Sequence, residues 1–153
     1  ELFGEVRRLE MPFTIHAGEC GSVQNILDAV QCGASRIGHG IALRGQKEAI
    51  AFCRDRQIGI EMCPLSNMQT KAVKDPAEYP IQEFLNANLL VTVNTDNRTV
   101  SQTTLEKEFA FIRERYAVTR EQEVQMTKNA IEVAFASDAV KERLWKKMYT
   151  FEK

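Results

Sequence analysis

The chain has 153 residues, 44% of them hydrophobic, which is enough apolar material for one domain with a packed core. Its 20 basic and 21 acidic side chains nearly cancel, so it carries no basic field for nucleic acid or an anionic membrane surface. No run approaches the roughly 18 apolar residues of a membrane span, and no signal-peptide pattern opens the chain.

The opening stretch ELFGEVRRLEMP has a helical pattern with Leu2, Val6 and Leu9 on one face. That helix is already under way at Glu1, which is not Met, so the expectation is a segment of a longer protein. A short apolar run at 13–15 reads as a first strand. After Gly21 and Ser22, the spacing of Val23, Ile26, Leu27 and Val30 predicts a helix, with Ser22 as a fair N-cap. Residues 36–38 read as a second strand, and Gly45 precedes a helix carrying Ala49, Ile50, Phe52 and Cys53. A third strand is expected at 58–62 and a fourth at 89–93. Between them, Pro80 stands at the first position of a helix with Ile81, Phe84 and Leu85.

Beyond the fourth strand the pattern is helical throughout. Thr103 with Glu106, and Thr119 with Gln122, form two capping-box patterns. Asp138 starts a last helix whose end, ERLWKKM, is cationic and amphipathic; it reads as a packed terminal helix with lysines near its negative end. The order βαβαβαβ followed by helices argues for a parallel sheet with right-handed crossovers. A full (β/α)₈ barrel needs roughly 250 residues, and four strands make about half of one. Half a barrel exposes two unpaired edges, to be covered by a missing half, by a second copy of the chain, or avoided in another open-sheet fold. Cys20, Cys32, Cys53 and Cys63 form no CxxC pair and have no secretory context, so they read as reduced cytoplasmic thiols.

Parallel α/β proteins place their chemistry at the C-terminal ends of strands. Here those ends read His16-Ala-Gly-Glu19, Gly38-His39-Gly40, Cys63-Pro64-Leu65-Ser66-Asn67 and Asn94-Thr95-Asp96-Asn97. Each has a structural reading by itself. A lone strand-end histidine is most often a satisfied loop residue; Asp96 could make an Asx-turn or cap the helix that follows; RIGHG could be a tight turn; CPLSN could be a turn capped by Ser66; Glu61 could pair with a basic neighbour. Jointly they converge on one rim, and the chain's two histidines both lie on it. Imidazole and carboxylate together suit zinc and related metals. The HExxH helix is absent, and so is the His-x-Glu with Pro-Cys-x-x-Cys pattern of cytidine-type deaminases. His16 and Asp96 alone supply fewer than the three protein ligands of a catalytic zinc.

TIHAGE, RIGHG, EMCPLSN and VTVNTDN, in this order and spacing, resemble the C-terminal half of the adenosine deaminase family, whose members are metal-dependent (β/α)₈ hydrolases of the amidohydrolase superfamily. TTLEKEF and NAIEVAF resemble the family's helical tail. The resemblance implies that residues 1–153 are the C-terminal part of a single barrel domain: four parallel strands with helices, then a helical segment. It implies that His16 and Asp96 bind Zn²⁺. It implies that Glu19 protonates the purine ring nitrogen beside the reacting carbon, and that His39 orients and helps deprotonate the attacking water. Asp96 shares in that catalysis, and Gly18, Glu19 and Asn97 contact the substrate. Glu19 can donate only when protonated, and a water-poor pocket disfavours the charged form of a carboxyl. The implied reaction is adenosine or deoxyadenosine to inosine and ammonia, in purine salvage.

Two positions separate relatives. Family members acting on free adenine usually carry Asp where Gly38 stands, so Gly38 favours the nucleoside. Many adenosine deaminases carry a second aspartate where this chain has Asn97, whose amide can still donate to a ring nitrogen. The family's His-x-His pair, which supplies two zinc ligands, does not occur in the chain. The 153 residues alone are therefore expected to bind zinc weakly and not to deaminate. The alternatives are a deaminase of adenine or another nucleobase, and a non-catalytic half-barrel that self-associates through its open edges.

Overall fold

The computed structural model describes residues 2–151. The expectation that Glu1 already belongs to a helix lies outside the described residues. The elements run α1 (Leu2–Arg8), β1 (Thr14–Ala17), α2 (Val23–Gln31), β2 (Arg36–His39), α3 (Lys47–Asp55), β3 (Gly59–Met62), α4 (Pro64–Gln69), α5 (Ile81–Asn86), β4 (Leu90–Val93), α6 (Arg98–Ser101), α7 (Leu105–Tyr116), α8 (Arg120–Glu132) and α9 (Asp138–Phe151). The four strands pair in chain order, β1-β2-β3-β4, all parallel. This is the α/β half-barrel arrangement expected from the sequence.

The register sorts the side chains into two faces. Ile15, Ile37, Ile60 and Val91 lie in one row across the sheet. Successive strand residues point to opposite faces, so this row forms the apolar side that the helices cover. Ile26 and Val30 of α2, Ile50 and Cys53 of α3, Ile81 and Phe84 of α5, Ile112 of α7 and Met126 of α8 join it in one buried cluster. The other face carries the rows Thr14–Arg36–Gly59–Leu90 and His16–Gly38–Glu61–Thr92. Glu61 finds the basic neighbour expected of it: Arg36 Nε lies 2.8 Å from one carboxylate oxygen, and the Thr14 hydroxyl donates to the other at 2.9 Å. The Arg36 guanidinium also donates to the Val133 carbonyl and stacks 3.6 Å from the centre of the Phe135 ring. Glu61 is thereby occupied structurally, although it shares the register row of His16.

Helix starts follow local chemistry with small displacements. Thr119 and Gln122 make the reciprocal capping box at α8. At α7 the cap is Thr104 instead of Thr103: the Thr104 hydroxyl accepts from Lys107 N, while Thr103 is buried and donates to the Thr104 carbonyl. Ser22 occupies the expected cap position of α2, but its hydroxyl bonds Asn25 instead of the backbone. Pro80 is the cap of α5, one residue before its first turn. CPLSN is the start of a helix, with Pro64 at its first position. Asp138 opens α9, which packs on α8; its lysines lie before its last turn. Leu2 of α1 and Leu9 just beyond its end remain 71% and 51% exposed, so the apolar face read there is not buried within the described residues.

Candidate functional site

The site is built at the C-terminal ends of the strands by residues that leave strand geometry. His39 and Asp96 both have positive φ, 68° and 52°. This conformation is uncommon for side-chain-bearing residues and costs on the order of 1–3 kcal/mol. His39 therefore breaks the alternation of β2, and its ring is buried (1% exposed). It meets the His16 ring edge-on, with centroids 4.8 Å apart. Gly38 makes that contact possible. A Cβ at position 38 would lie 2.5 Å from Cδ2 of His16, a distance that side chains do not sustain.

His39 is bound on both sides. Its Nε2 lies 3.6 Å from Glu19 Oε2, and its Nδ1 lies 2.9 Å from the amide nitrogen of Asn67. The same amide nitrogen lies 3.5 Å from Glu19 Oε1, and the amide oxygen of Asn67 accepts from the buried Tyr79 hydroxyl at 3.4 Å. With the amide in this orientation Nδ1 accepts, so the hydrogen of a neutral His39 sits on Nε2, toward Glu19. Burial pushes the His39 imidazole below its ordinary value. The nearby His16 acts in the same direction, while Glu19, Asp96 and the Asn67 hydrogen bond oppose it without prevailing.

Asp96 is exposed, and its carboxylate accepts from Ser66 Oγ at 2.7 Å. Through Ser66 it is tied to the cluster, because the adjacent Asn67 contacts His39. Asp96 does not cap the following helix: Asn97 does, accepting from Thr99 N and Val100 N. Only the oxygen of the Asn97 amide is used in this way. Gly18 sits at φ 68°, its carbonyl accepts from Ala42 N, and a Cβ there would lie 2.4 Å from Ile26. Its glycine therefore has a packing reason independent of any substrate. Glu19 lines a cleft of about 400 Å³ that runs past Ala42, Arg44, Val73 and Lys74 and does not include His16, His39 or Asp96 in its lining. The Glu19 side chain is 26% exposed, so the described residues do not build the water-poor pocket expected around it.

Three positions of α4 and its C-cap gain site roles that the sequence motifs do not assign: Ser66 and Asn67 stand in a strand-end motif without such a role, and Thr70 lies outside every motif. Ser66 reaches Asp96, Asn67 reaches His39, and the Thr70 hydroxyl donates to Glu19 Oε1 at 3.0 Å. The available signal was the polar pattern i, i+1, i+4 after a proline at a helix start, which a turn reading of CPLSN conceals.

His16 and Asp96 have the donor chemistry of zinc ligands, but no group of three His, Cys, Asp or Glu among the described residues is placed to hold a metal ion. Two ligands fall short of the three that a catalytic zinc takes from protein. The four thiols are unpaired, and burial pushes Cys53 up to about 11 and Cys63 up to about 12, which makes them poor ligands and poor nucleophiles.

The family model for adenosine deaminase matches residues 1–151. The adenosine deaminase of Enterococcus faecalis is 50% identical over 141 residues, which is 92% of this chain and 42% of that protein. The chain thus spans less than half the length of this relative. Among solved structures, an adenine deaminase from Arthrobacter aurescens superposes with a TM-score of 0.91 at 26% identity, covering 98% of this chain and 46% of that one. An amidohydrolase from Burkholderia ambifaria with bound Zn superposes with a TM-score of 0.87 at 22% identity, covering 97% of this chain and 42% of that one, a likeness of fold. With four strand-end motifs, a parallel half-barrel and a match over nearly its whole length, this chain belongs to the adenosine deaminase family.

Proposed function

We propose that the chain is the C-terminal part, residues 1–153, of a single-domain hydrolase that converts adenosine or deoxyadenosine to inosine and ammonia. The observation that carries this reading is the cluster at the strand ends: His16 against His39, His39 beside Glu19, and Asp96 joined to them through Ser66 and Asn67 of α4. Glu19 is the proton donor to the purine ring nitrogen. His39, neutral and with hydrogen on Nε2, orients the attacking water; accepting a proton there would require the Asn67 amide to turn over. Asn97 contributes its amide nitrogen, and Gly18 its backbone, to the purine. His16 and Asp96 are two ligands of a zinc ion whose remaining ligands come from outside this chain. Such an ion supplies an acidified water when bound. A cytoplasmic place in purine salvage is part of the same reading, supported by four unpaired thiols and by the absence, among the described residues, of a helix long and apolar enough to cross a membrane.

Adenine is the second candidate substrate, because the superposing Arthrobacter aurescens structure is an adenine deaminase. Gly38 supports the nucleoside by resemblance, because family members acting on free adenine usually carry Asp at that position. The test is a family-length enzyme containing this chain, assayed with adenosine and with adenine. Faster turnover of adenosine is expected, and faster turnover of adenine overturns the assignment.

A further inference from the structure

Glu19 is held asymmetrically. Oε1 faces two donors, the Thr70 hydroxyl at 3.0 Å and the Asn67 amide nitrogen at 3.5 Å, whereas Oε2 faces His39 Nε2 at 3.6 Å with no hydrogen bond closer than that contact. Both donors come from one rigid source. Asn67 lies within α4, and Thr70 is its C-cap, with Thr70 N bonded to the Ser66 carbonyl at 2.8 Å. The other end of α4 is fixed from α7, where Glu108 Oε2 accepts from Leu65 N at 3.0 Å. Asn67 is fully buried and is braced by Tyr79. The hydroxyl of Thr70 is therefore carried by a helix end that is itself anchored, instead of by a free loop.

We propose that Thr70, seconded by Asn67, is a positioning residue that occupies Oε1 of Glu19, so that Oε2 is the oxygen that meets the substrate and transfers the proton. This rests on the reading of Glu19 as proton donor. The Thr70 hydroxyl at 3.0 Å favours an Oε1 that bears no hydrogen, whereas the His39 Nε2–H faces Oε2 only from 3.6 Å, beyond hydrogen-bond distance, so a protonated Glu19 carries its hydrogen on Oε2. In the transfer the Oε2–H bond breaks, its electron pair stays on the carboxyl group, and the hydrogen forms a bond to the ring nitrogen. The negative charge left behind spreads onto Oε1, where Thr70 and Asn67 already donate. The two residues thus fix the direction of the acid and stabilise the state it reaches, without touching the substrate.

The test compares Thr70→Val and Thr70→Ser in a family-length enzyme containing this chain. In Thr70→Val, kcat on adenosine is expected to fall about 10- to 100-fold, the worth of one hydrogen bond to a charged group, with KM within about threefold. Thr70→Ser, which keeps the hydroxyl, restores kcat. In crystal structures the Glu19 carboxylate leaves its position in Thr70→Val and keeps it in Thr70→Ser. A wild-type kcat in Thr70→Val, an equal loss in both variants, or an unmoved Glu19 carboxylate overturns the proposal. The crystallographic arm holds even if the wild-type protein does not act on adenosine, an outcome that sinks the functional reading and leaves the placement of Glu19 still decided.

Discussion

At the scale of single residues, the site depends on two kinds of exception to ordinary backbone rules. His39 and Asp96 adopt positive φ, and Gly38 lacks the Cβ that would strike His16. Gly38→Ala should displace the His16 ring while leaving the apolar row of Ile37 and Ile60 intact. Zinc affinity of a family-length enzyme should fall about 10- to 100-fold, the usual effect of disturbing a ligand's support, and a zinc titration would read it. Glu19→Gln removes a proton and barely changes size. It should cost on the order of 100-fold or more in kcat, with substrate affinity little changed; near-normal turnover in a steady-state assay would move the proton-donor role to another group.

At the scale of elements, α4 is the piece on which the site leans, and α7 holds α4. Glu108 is buried, accepts from Leu65 N through Oε2 and has no hydrogen bond to Oε1. Burial raises its carboxyl above the ordinary 4.5, against the opposing effects of Leu65 N and the Thr103 side chain. The native state therefore holds this proton more tightly than the unfolded chain. Stability from this group is fully present below pH 4.5 and is lost as pH rises through the native value, because the unfolded state ionises first. Glu108→Gln should lack this loss. Urea midpoints at pH 4 and pH 7 would show the variant gaining on the wild type at the higher pH, and parallel pH dependence in the two proteins would refute the assignment.

At the scale of the whole molecule, the sheet has two outer strands. Phe13 and Gly18 carbonyls accept from Ser35 and Ala42, and Ala17 from Gly40, so the backbone of Thr14 and His16 addresses the far side of β1. On β4, Asn94 N donates to Met62, which turns Val91 and Val93 to the far side. One of the groups so exposed is claimed internally: the Asn129 side chain of α8 donates to the Val91 carbonyl at 2.9 Å. The His16 strand has no such cover among the hydrogen bonds described. A chain with this open edge and two candidate ligands should bind zinc weakly by calorimetry and leave adenosine unchanged in a sensitive assay. Adding a complementing half that carries the remaining ligands should raise both readouts, and turnover by the 153 residues alone would contradict this.

The sequence by itself determined the order of the four strands and the longer helices, the parallel half-barrel and the strand ends on which His16, Glu19, His39 and Asp96 stand. Those follow from local rules: hydrophobic period, Pro and Gly placement, capping patterns and the tendency of parallel sheets to gather polar residues at strand ends. Only the tertiary structure decided which oxygen of Glu19 is tied, which nitrogen of His39 faces Asn67, that Asn97 caps α6 where Asp96 could have done so, and that Glu61 belongs to Arg36. These are contacts between residues about 25 to 50 positions apart, or choices between adjacent residues with the same local propensity. Their energies depend on distance and direction in space, which no spacing along one chain encodes.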